Sequence, residues 1–336
     1  MEAWRQALGA DPLPWLLGTE DPAVRYLALR DLCSEGEDSP QVRRARKAAM
    51  RADPIAAILA AQNPDGFWEK PGAGYARKYT GTVWSVMFLG QLGADGSDPR
   101  VRAACGYVLG HAQTSSGGFG ASGSLSERPP PPSAALHCLN GNLLRSLIAL
   151  GWLDDERVQR AVAWEASAIT GVGHERYYAS GTSGPGFRCA ANGREPCGWG
   201  ATKAMHALAL IPPPRRTRAV REAVARGTDF LLSVDPATGA YPTDTHVASS
   251  WFRLGFPQGY VTDVLQVAEV LAELGKAKDR RLQNMVEFIL GKQVSGGRWR
   301  NEYAYSGKTW LDIDRQGAPS KWVTLRAARF LKAALA

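Results

Sequence analysis

The chain has 336 residues, of which 45% are hydrophobic and 21% are charged, so it has the composition of a folded protein with a large core. Its 40 Lys and Arg residues outnumber its 32 Asp and Glu residues, which gives a net charge of +8. The basic residues alternate with acidic residues or alanine along polar helical segments, so we interpret them as solvated helix faces and expect no nucleic-acid partner.

Neither membrane insertion nor secretion is indicated. No apolar run approaches the roughly 18 residues of a membrane span, and the N-terminus lacks a basic stretch followed by an apolar one. The 5 cysteines are an odd number in a long chain, which is not typical of a secreted disulfide scaffold. These features predict a cytoplasmic protein with no membrane span.

Apolar helical segments recur along the chain at a nearly constant period. The five predicted apolar helices begin 57 to 62 residues apart, at 80–93, 137–151, 198–212, 260–275 and 320–336. A short turn and an amphipathic helix follow each of the first four, at 99–113, 155–169, 215–233 and 279–293. Since helices that are apolar all round are buried and amphipathic ones face solvent, the pattern predicts a repeat of inner and outer helices.

The connections between these helices are of unequal length. Those that lead from an outer helix to the next inner helix are long, at 114–136, 170–197, 234–259 and 294–319. Long loops without secondary structure of their own are usually functional. Because each one precedes an inner helix, we expect all four at one face of the molecule, together with the functional site.

Three outer helices end in the same motif, a Gln followed six residues later by an aromatic residue, with Gly between them. The copies run from Gln62 to Trp68, from Gln113 to Phe119 and from Gln293 to Trp299. The motif resembles the QW-type repeat of the terpenoid cyclase and protein prenyltransferase superfamily, and the resemblance extends from about residue 53 to the C-terminus. It implies an all-α fold, a single (α/α)6 toroid over residues 1–336 around an apolar cavity. In that fold, N-terminal helices within 1–62, predicted at 21–32 and 40–62, complete the ring.

The catalytic groups of that superfamily are matched only in part. Asp312-Ile-Asp314 is followed by Arg315, so the Asp-x-Asp-Asp acid of the squalene-hopene-type cyclases is incomplete. Tyr260 matches the tyrosine that precedes the zinc-binding histidine of the prenyltransferases, but Val261 stands in the histidine position. The sequence leaves open whether Asp312 and Asp314 reach the cavity.

Three cysteines lie at, or just before, the starts of two adjacent inner helices. Cys138 is in the first turn of the second inner helix, while Cys189 and Cys197 precede the third, so a toroid would bring all three to the mouth of its cavity. They could pack as small apolar residues, or they could bind zinc with His137, His206 or Asp263 as a fourth ligand. They could also act as acid–base groups, because a helix N-terminus lowers the pKa of a thiol.

A second, local resemblance concerns the same segment. His137 and Cys138, followed by Cys189-Ala-Ala-Asn192 and Cys197, resemble the linalool dehydratase-isomerases over about 60 residues. The resemblance implies that His137, Cys189 and Cys197 are acid–base groups that remove water from an allylic alcohol.

Other candidate residues lie at the loop-rich face. Asp263 opens the fourth inner helix, where it is either a helix-dipole partner or a catalytic group, and it is the predicted partner of an inward-facing Lys203. Five aromatic residues are expected to line the apolar pocket and to bind the substrate: Trp199, Trp251, Tyr260, Trp310 and Trp322.

Together these features predict a lyase or isomerase that acts on an isoprenoid or a similar apolar small molecule. Its chemistry would be dehydration, isomerisation or cyclisation, with no cofactor or one zinc ion. The proposed catalytic groups are Cys138, Cys189, Cys197, His137 and Asp263, and the three cysteines are the alternative zinc ligands. The other interpretations are a zinc-containing prenyltransferase-like protein and a non-catalytic toroid that binds a partner through its loops.

Overall fold

A computed structural model describes residues 3–121, 128–174, 182–243 and 245–336. Helices account for nearly all of its secondary structure over these ranges, so the predicted all-α class is confirmed. The helices of the N-terminal half are α1 (Ala3–Gln6), α2 (Leu13–Leu16), α3 (Pro22–Asp31), α4 (Pro40–Ala49), α5 (Ile55–Ala60), α6 (Thr82–Gln91), α7 (Pro99–His111), α8 (His137–Ala149) and α9 (Glu156–Thr170). Those of the C-terminal half are α10 (Gly198–Ala209), α11 (Arg218–Leu231), α12 (Val264–Glu273), α13 (Gln283–Gly291) and α14 (Lys321–Leu335).

The five predicted inner helices are α6, α8, α10, α12 and α14, and they pack against one another in chain order. Each of the first four also packs against the outer helix that follows it, namely α7, α9, α11 and α13. The last inner helix, α14, packs against α1, α2 and α3 at the other end of the chain. This order of contacts is the one that a toroid of helix pairs requires. The closed six-pair ring and the single domain over residues 1–336 stay predictions.

The glutamine of each repeat motif joins neighbouring outer segments. Gln62 and Gln113 donate hydrogen bonds to backbone carbonyls in the first turns of α7 and α9, at 3.0 and 2.7 Å. Gln293 instead accepts a hydrogen bond from the backbone N–H of Gly9, at 2.9 Å. The N-terminal segment therefore occupies, in the last repeat, the position that the next outer helix occupies in the others.

Several predicted helix boundaries differ from the structure by a few residues, and two of the differences have a clear local cause. The predicted helix 40–62 is two helices, α4 and α5, because Pro54 lacks an N–H and its ring opposes a helical conformation at Asp53. The fourth inner helix begins at Val264 instead of residue 260, since the Asp263 side chain accepts the backbone N–H of Gln266 and caps the helix there.

The one sheet of the described ranges pairs β1 (Trp299–Arg300) with β2 (Pro319–Ser320) in an antiparallel register, Trp299 opposite Ser320. It closes the loop that leads into α14. None of the helices in these ranges has both the length and the apolar character that crossing a membrane requires.

Candidate functional site

Three cysteine side chains meet in one pocket at the N-terminal ends of α8 and α10. Cys138 is in the first turn of α8, Cys197 is the N-cap residue of α10, and Cys189 precedes the short 3-10 turn at 190–192. All three are partly buried and line a pocket of about 300 Å³. The pocket is also lined by residues of the connections 170–197 and 234–259, so the loops contribute to it. The part of the first connection at 175–181 lies outside the described residues.

The three cysteines act on one another's ionisation, with Cys197 at the centre of the cluster. Cys197 Sγ accepts the backbone N–H of Gly200 at 3.4 Å, and Cys138 and Cys189 lie close enough to stabilise its thiolate as proton donors. These two thiols, together with the N–H groups of the first turn of α10, hold the pKa of Cys197 well below its usual range despite its burial. The same interactions raise the pKa values of Cys138 and Cys189, because a thiol that ionises can no longer donate to the thiolate. The cluster is therefore built to hold one thiolate and two thiols.

Aromatic side chains form the walls of this pocket. Trp199 and Tyr260 meet edge to face, with ring centroids 6.0 Å apart, and Tyr241 and Trp251 do so at 5.5 Å. The hydroxyl of Tyr241 and the indole N–H of Trp251 donate to backbone carbonyls at 2.7 and 3.1 Å, which fixes both rings. The pocket therefore combines aromatic walls and the thiol cluster with polar lining residues from the loops, namely Asn192, Thr243, Thr245 and His246.

Of the five aromatic residues predicted to bind substrate, three line the pocket: Trp199, Trp251 and Tyr260. Trp322 does not line it and stacks on Phe256, with ring centroids 4.4 Å apart. Trp310 donates to Ser85 Oγ at 3.1 Å and is also absent from the pocket wall. Sequence position alone did not give the direction of their rings.

His137 lies behind the thiols and not among the pocket residues. It is 2% exposed, its Nδ1 is 2.6 Å from Glu165 Oε1, and its Nε2 is 3.2 Å from the Gly184 carbonyl oxygen. Because a carbonyl oxygen can only accept, Nε2 carries a proton. Burial opposes the charged ring, but the Glu165 carboxylate outweighs it and raises the pKa of His137. With both nitrogens engaged, His137 is placed to support the first turn of α8, and a direct catalytic role stays a prediction.

Asp263 is also buried away from the pocket, at 2% exposure. Its carboxylate pairs with the Arg326 guanidinium at 3.2 Å and accepts the backbone N–H groups of Gly255 and Gln266 at 2.9 and 2.7 Å. Arg326 also pairs with Glu269 at 2.7 Å. The predicted pairing of Asp263 with Lys203 is not a hydrogen bond in the structure, because the Lys203 ammonium donates to Thr262 Oγ1.

Asp312 and Asp314 do not line the thiol pocket. Asp314 accepts hydrogen bonds from Asn301, at 3.1 Å, and from Ser320, and burial raises its pKa. Asp312 is exposed and accepts the backbone N–H of Gly307 at 2.7 Å. Both carboxylates thus stabilise the loop that precedes α14.

Sequence reasoning missed His246, which lines the pocket, and three further residues near the site. Glu165, fully buried in α9, orients His137; the only signal was a carboxylate on the buried face of an amphipathic helix. Tyr75 and Lys78 come from the loop before α6, where the Lys78 ammonium lies 5.2 Å from the Tyr75 ring and 4.9 Å from the Tyr260 ring. Burial raises the pKa of Tyr260 to about 12, and the nearby Cys138 adds to this effect.

The segment 255–260 separates the thiol pocket from a second cavity of about 340 Å³ at the opposite ends of the inner helices. Gln91 clamps it by exchanging two hydrogen bonds with the backbone of Gln258, at 2.6 and 2.8 Å. Asn142 donates to the carbonyl of Gly259 at 2.9 Å. Since Tyr260 ends this segment, these contacts fix one wall of the pocket.

Metal binding was the alternative interpretation of the cysteines. Within the ranges that the structure describes, no three His, Cys, Asp or Glu side chains are arranged so that they could hold a metal ion. The candidate fourth ligands lie beside other partners: His137 contacts Glu165, Asp263 pairs with Arg326, and His206 lies 3.7 Å from Glu273. As arranged here, the donor set is not that of a tetrahedral zinc site, and zinc binding by the protein stays a prediction.

Comparison with known proteins gives a limited result. No protein-family model and no curated protein matches the chain. Among solved structures, the chain is similar to the apo form of the type II terpene cyclase MstE from Scytonema, at 15% identity and a TM-score of 0.45, over 94% of this chain and 88% of that one.

Two substituted forms of the same cyclase are similar as well. One, in complex with geranylgeranyl dihydroxybenzoate, has 14% identity and a TM-score of 0.31 over 84% of this chain and 95% of that one. The other, in complex with merosterolic acid A, has 14% identity and a TM-score of 0.30 over 83% and 94%. Similarity at this level establishes neither family nor activity, so the functional argument depends on the site.

Proposed function

We propose that this protein is an acid–base enzyme that dehydrates or isomerises an apolar alcohol, of which an allylic isoprenoid alcohol is the best candidate. The observation that carries the proposal is that three cysteines line one end of a single pocket with aromatic walls. Cys197 also accepts a backbone N–H at a helix N-terminus, and Cys138 and Cys189 help to lower its pKa, which thiols that only fill space do not require.

The thiol cluster can supply both proton transfers of a dehydration. The thiol of Cys138 or Cys189 gives its proton to the substrate hydroxyl, and the C–O bond breaks to release water. The Cys197 thiolate takes a proton from the adjacent carbon as the C–O bond breaks, and the electron pair of that C–H bond forms the C=C bond. Since Cys197 loses its charge in this step, it no longer raises the pKa of the thiol that donates its proton. The cluster ends with one thiolate and two thiols, as it began, so it needs no external acid or base.

The aromatic walls suit an apolar substrate with an electron-poor intermediate. Trp199, Trp251 and Tyr260 present ring faces and edges, and aromatic faces stabilise positive charge. A pocket of about 300 Å³ is at the small end of ligand sites, which favours a substrate the size of a short isoprenoid. The isoprenoid class itself comes from the two sequence resemblances.

The experiment is an anaerobic incubation of the purified chain with acyclic and cyclic C10 alcohols, followed by gas chromatography of the alkene and isomer products. We expect turnover of a tertiary or primary allylic alcohol. Replacing Cys138, Cys189 or Cys197 singly with Ser should abolish it, because a serine hydroxyl is neither ionised nor an efficient proton donor at neutral pH.

Cys33→Ser is the matched control, because Cys33 is a partly buried cysteine outside the pocket. It should leave turnover unchanged. Undiminished turnover in all three pocket variants would overturn the catalytic role of the thiols. No turnover of any alcohol by a folded wild-type chain would favour the alternative of a non-catalytic binding module.

A further inference from the structure

The second cavity, of about 340 Å³, is surrounded by polar groups that lack partners. All five inner helices contribute to its lining, together with α3 and α4. Five of the lining residues carry a buried side-chain nitrogen or oxygen without a hydrogen-bond partner among the described residues, namely Arg46, His206, Gln258, Gln266 and Arg329. Because an unpaired buried polar atom is costly, their concentration around one cavity needs an explanation.

The floor of the cavity consists of almost fully buried residues. Gln266 and Gln258 are 1% and 8% exposed, and the Oε1 atom of each accepts no hydrogen bond from the described residues. Glu269, equally buried, is engaged among these residues only through Oε2, which accepts from Arg326 at 2.7 Å. The floor therefore has oxygen acceptors left over for N–H or O–H donors.

The ion pairs at the floor contain more negative than positive charge. Asp263 and Glu269 share a single guanidinium, that of Arg326, at 3.2 and 2.7 Å. The buried Lys203 amine donates to Thr262 instead, and burial lowers the pKa of this amine. Since a buried carboxylate without a cation of its own is unfavourable, a positively charged ligand group would complete the floor.

The rim of the cavity has the opposite imbalance. Its arginines are partly exposed, and two of them, Arg30 and Arg329, share the carboxylate of Asp31. A third, Arg46, has two carboxylates near it, but their oxygens lie 3.6 and 3.9 Å away, beyond good hydrogen-bond distance. Guanidinium groups bind carboxylates through paired N–H donors, so the rim can accept a further carboxylate.

The other charged and titratable side chains at the cavity do not change this picture. Arg145 and Glu273 form an ion pair of their own at 2.7 Å. His206 Nε2 lies 3.7 Å from Glu273, and burial lowers the pKa of His206, so its ring is neutral at physiological pH. The cavity is thus positive at its rim and negative at its floor.

We propose that this cavity binds a small zwitterion, an amino acid. Its carboxylate accepts hydrogen bonds from Arg46 at the rim, and its ammonium group donates to Gln258, Gln266 and Glu269 at the floor. A volume of about 340 Å³ is at the small end of ligand sites, which suits a molecule of this size. The site is separate from the thiol pocket, so this inference does not depend on the proposed function.

The experiment is thermal unfolding of the purified chain with the standard L-α-amino acids and with the ω-amino acids from β-alanine to 6-aminohexanoate. Calorimetric titration of the most effective compound then gives its affinity. We expect at least one amino acid to raise the melting temperature, because a ligand that binds only the folded state stabilises it. Butyrate and butylamine each carry one of the two charges of γ-aminobutyrate, and they should have no effect at the same concentration.

Arg46→Met and Gln266→Met test the two ends of the site separately. Each should weaken binding about tenfold or more, since each removes a hydrogen bond to a charged group of the ligand. Gln266→Met should melt no lower than the wild type, because it replaces a buried amide that lacks a partner by an apolar side chain of similar length. Arg44→Met is the matched control, since Arg44 is exposed on the same helix as Arg46, and it should leave binding unchanged.

Three results would overturn the proposal. The first is an unchanged melting temperature with every amino acid. The second is an equal rise with butyrate or butylamine, which would assign the cavity to a singly charged ion. The third is binding that neither Arg46→Met nor Gln266→Met weakens, which would place the ligand elsewhere. If Arg46→Met does not fold, as judged by circular dichroism, Arg46→Gln provides the same test.

Discussion

Replacing Asp263 with Asn separates a structural role of this carboxylate from a catalytic one. Asparagine keeps the shape of the side chain and can still cap α12, because Asn is among the best N-cap residues. The substitution removes the negative charge beside the Arg326 guanidinium, whose residue is only 3% exposed and forms a buried pair with Asp263. If Asp263 were a catalytic group, the same change would abolish turnover and leave the fold intact.

The size of the effect follows from the contacts that remain. Breaking a buried ion pair by removing one partner costs about 3–5 kcal/mol, because the other charge is left uncompensated. Here Arg326 keeps Glu269 at 2.7 Å, so we expect the lower end of the range, about 3 kcal/mol. Asp263 also accepts hydrogen bonds from Gly255 and Gln258. Because the substitution weakens these hydrogen bonds, it should also loosen the segment that ends in Tyr260.

Urea unfolding followed by circular dichroism measures this loss of stability, provided that the slope of the unfolding free energy against urea concentration is the same in the variant and the wild type. Asp155→Asn is the matched control, because Asp155 caps α9 in the same way but pairs with Arg157, which is 35% exposed. It should lose much less stability than Asp263→Asn. Equal losses in the two variants, or a normally stable Asp263→Asn chain without turnover, would refute the structural role.

Further predictions concern His137, the reactive thiols and metal. Since the pKa of His137 is raised, its pair with Glu165 is fully stabilising below about pH 6.5 and is lost as the pH rises through the raised value. The stability difference between the wild type and His137→Phe/Glu165→Leu should therefore shrink as the pH rises above about 6.5 through the raised pKa of His137, and a growing difference would contradict the pair. Peroxide should oxidise the Cys197 thiolate to a sulfenic acid, and attack by the Cys138 or Cys189 thiol should then form a disulfide and release water. Turnover should therefore fall with peroxide and recover with dithiothreitol. A loss of turnover that dithiothreitol cannot reverse would argue against neighbouring thiols. Dialysis against a chelator should leave turnover unchanged, because the donor set as arranged here is not that of a zinc site, and activity restored only by added zinc would reverse that assignment.

The repeat was predictable because each copy buries the same kind of helix. Five apolar helices at a constant spacing can be read from the sequence, and their order of packing follows from the short turns and long loops between them. The glutamine motif could be recognised for the same reason, since the glutamine of each copy makes a hydrogen bond that joins neighbouring outer segments. Where the prediction of helix ends was wrong, at Pro54 and Asp263, a local cap or break outweighed the apolar pattern.

Only the outline of the candidate site could be predicted from the sequence. The position of the three cysteines at helix starts indicated that they would meet, because inner helices of adjacent repeats are neighbours in space. The sequence did not show whether Cys197 would accept or donate a hydrogen bond, nor that His137 would point away from the pocket toward Glu165. Both depend on side-chain directions, which the local sequence does not encode. Trp310 and Trp322 were assigned to the pocket for the same reason, and they point elsewhere.

The sequence by itself thus determined the helical class and the repeated order of inner and outer helices, since these follow from periodicity and from where polar residues fall. The tertiary structure decided which charged groups pair with one another. Asp263 belongs to Arg326 and not to Lys203, because α14 brings a guanidinium closer than α10 brings its amine. Such pairings depend on contacts between helices far apart in the chain, at distances of a few ångströms, and no local pattern fixes them.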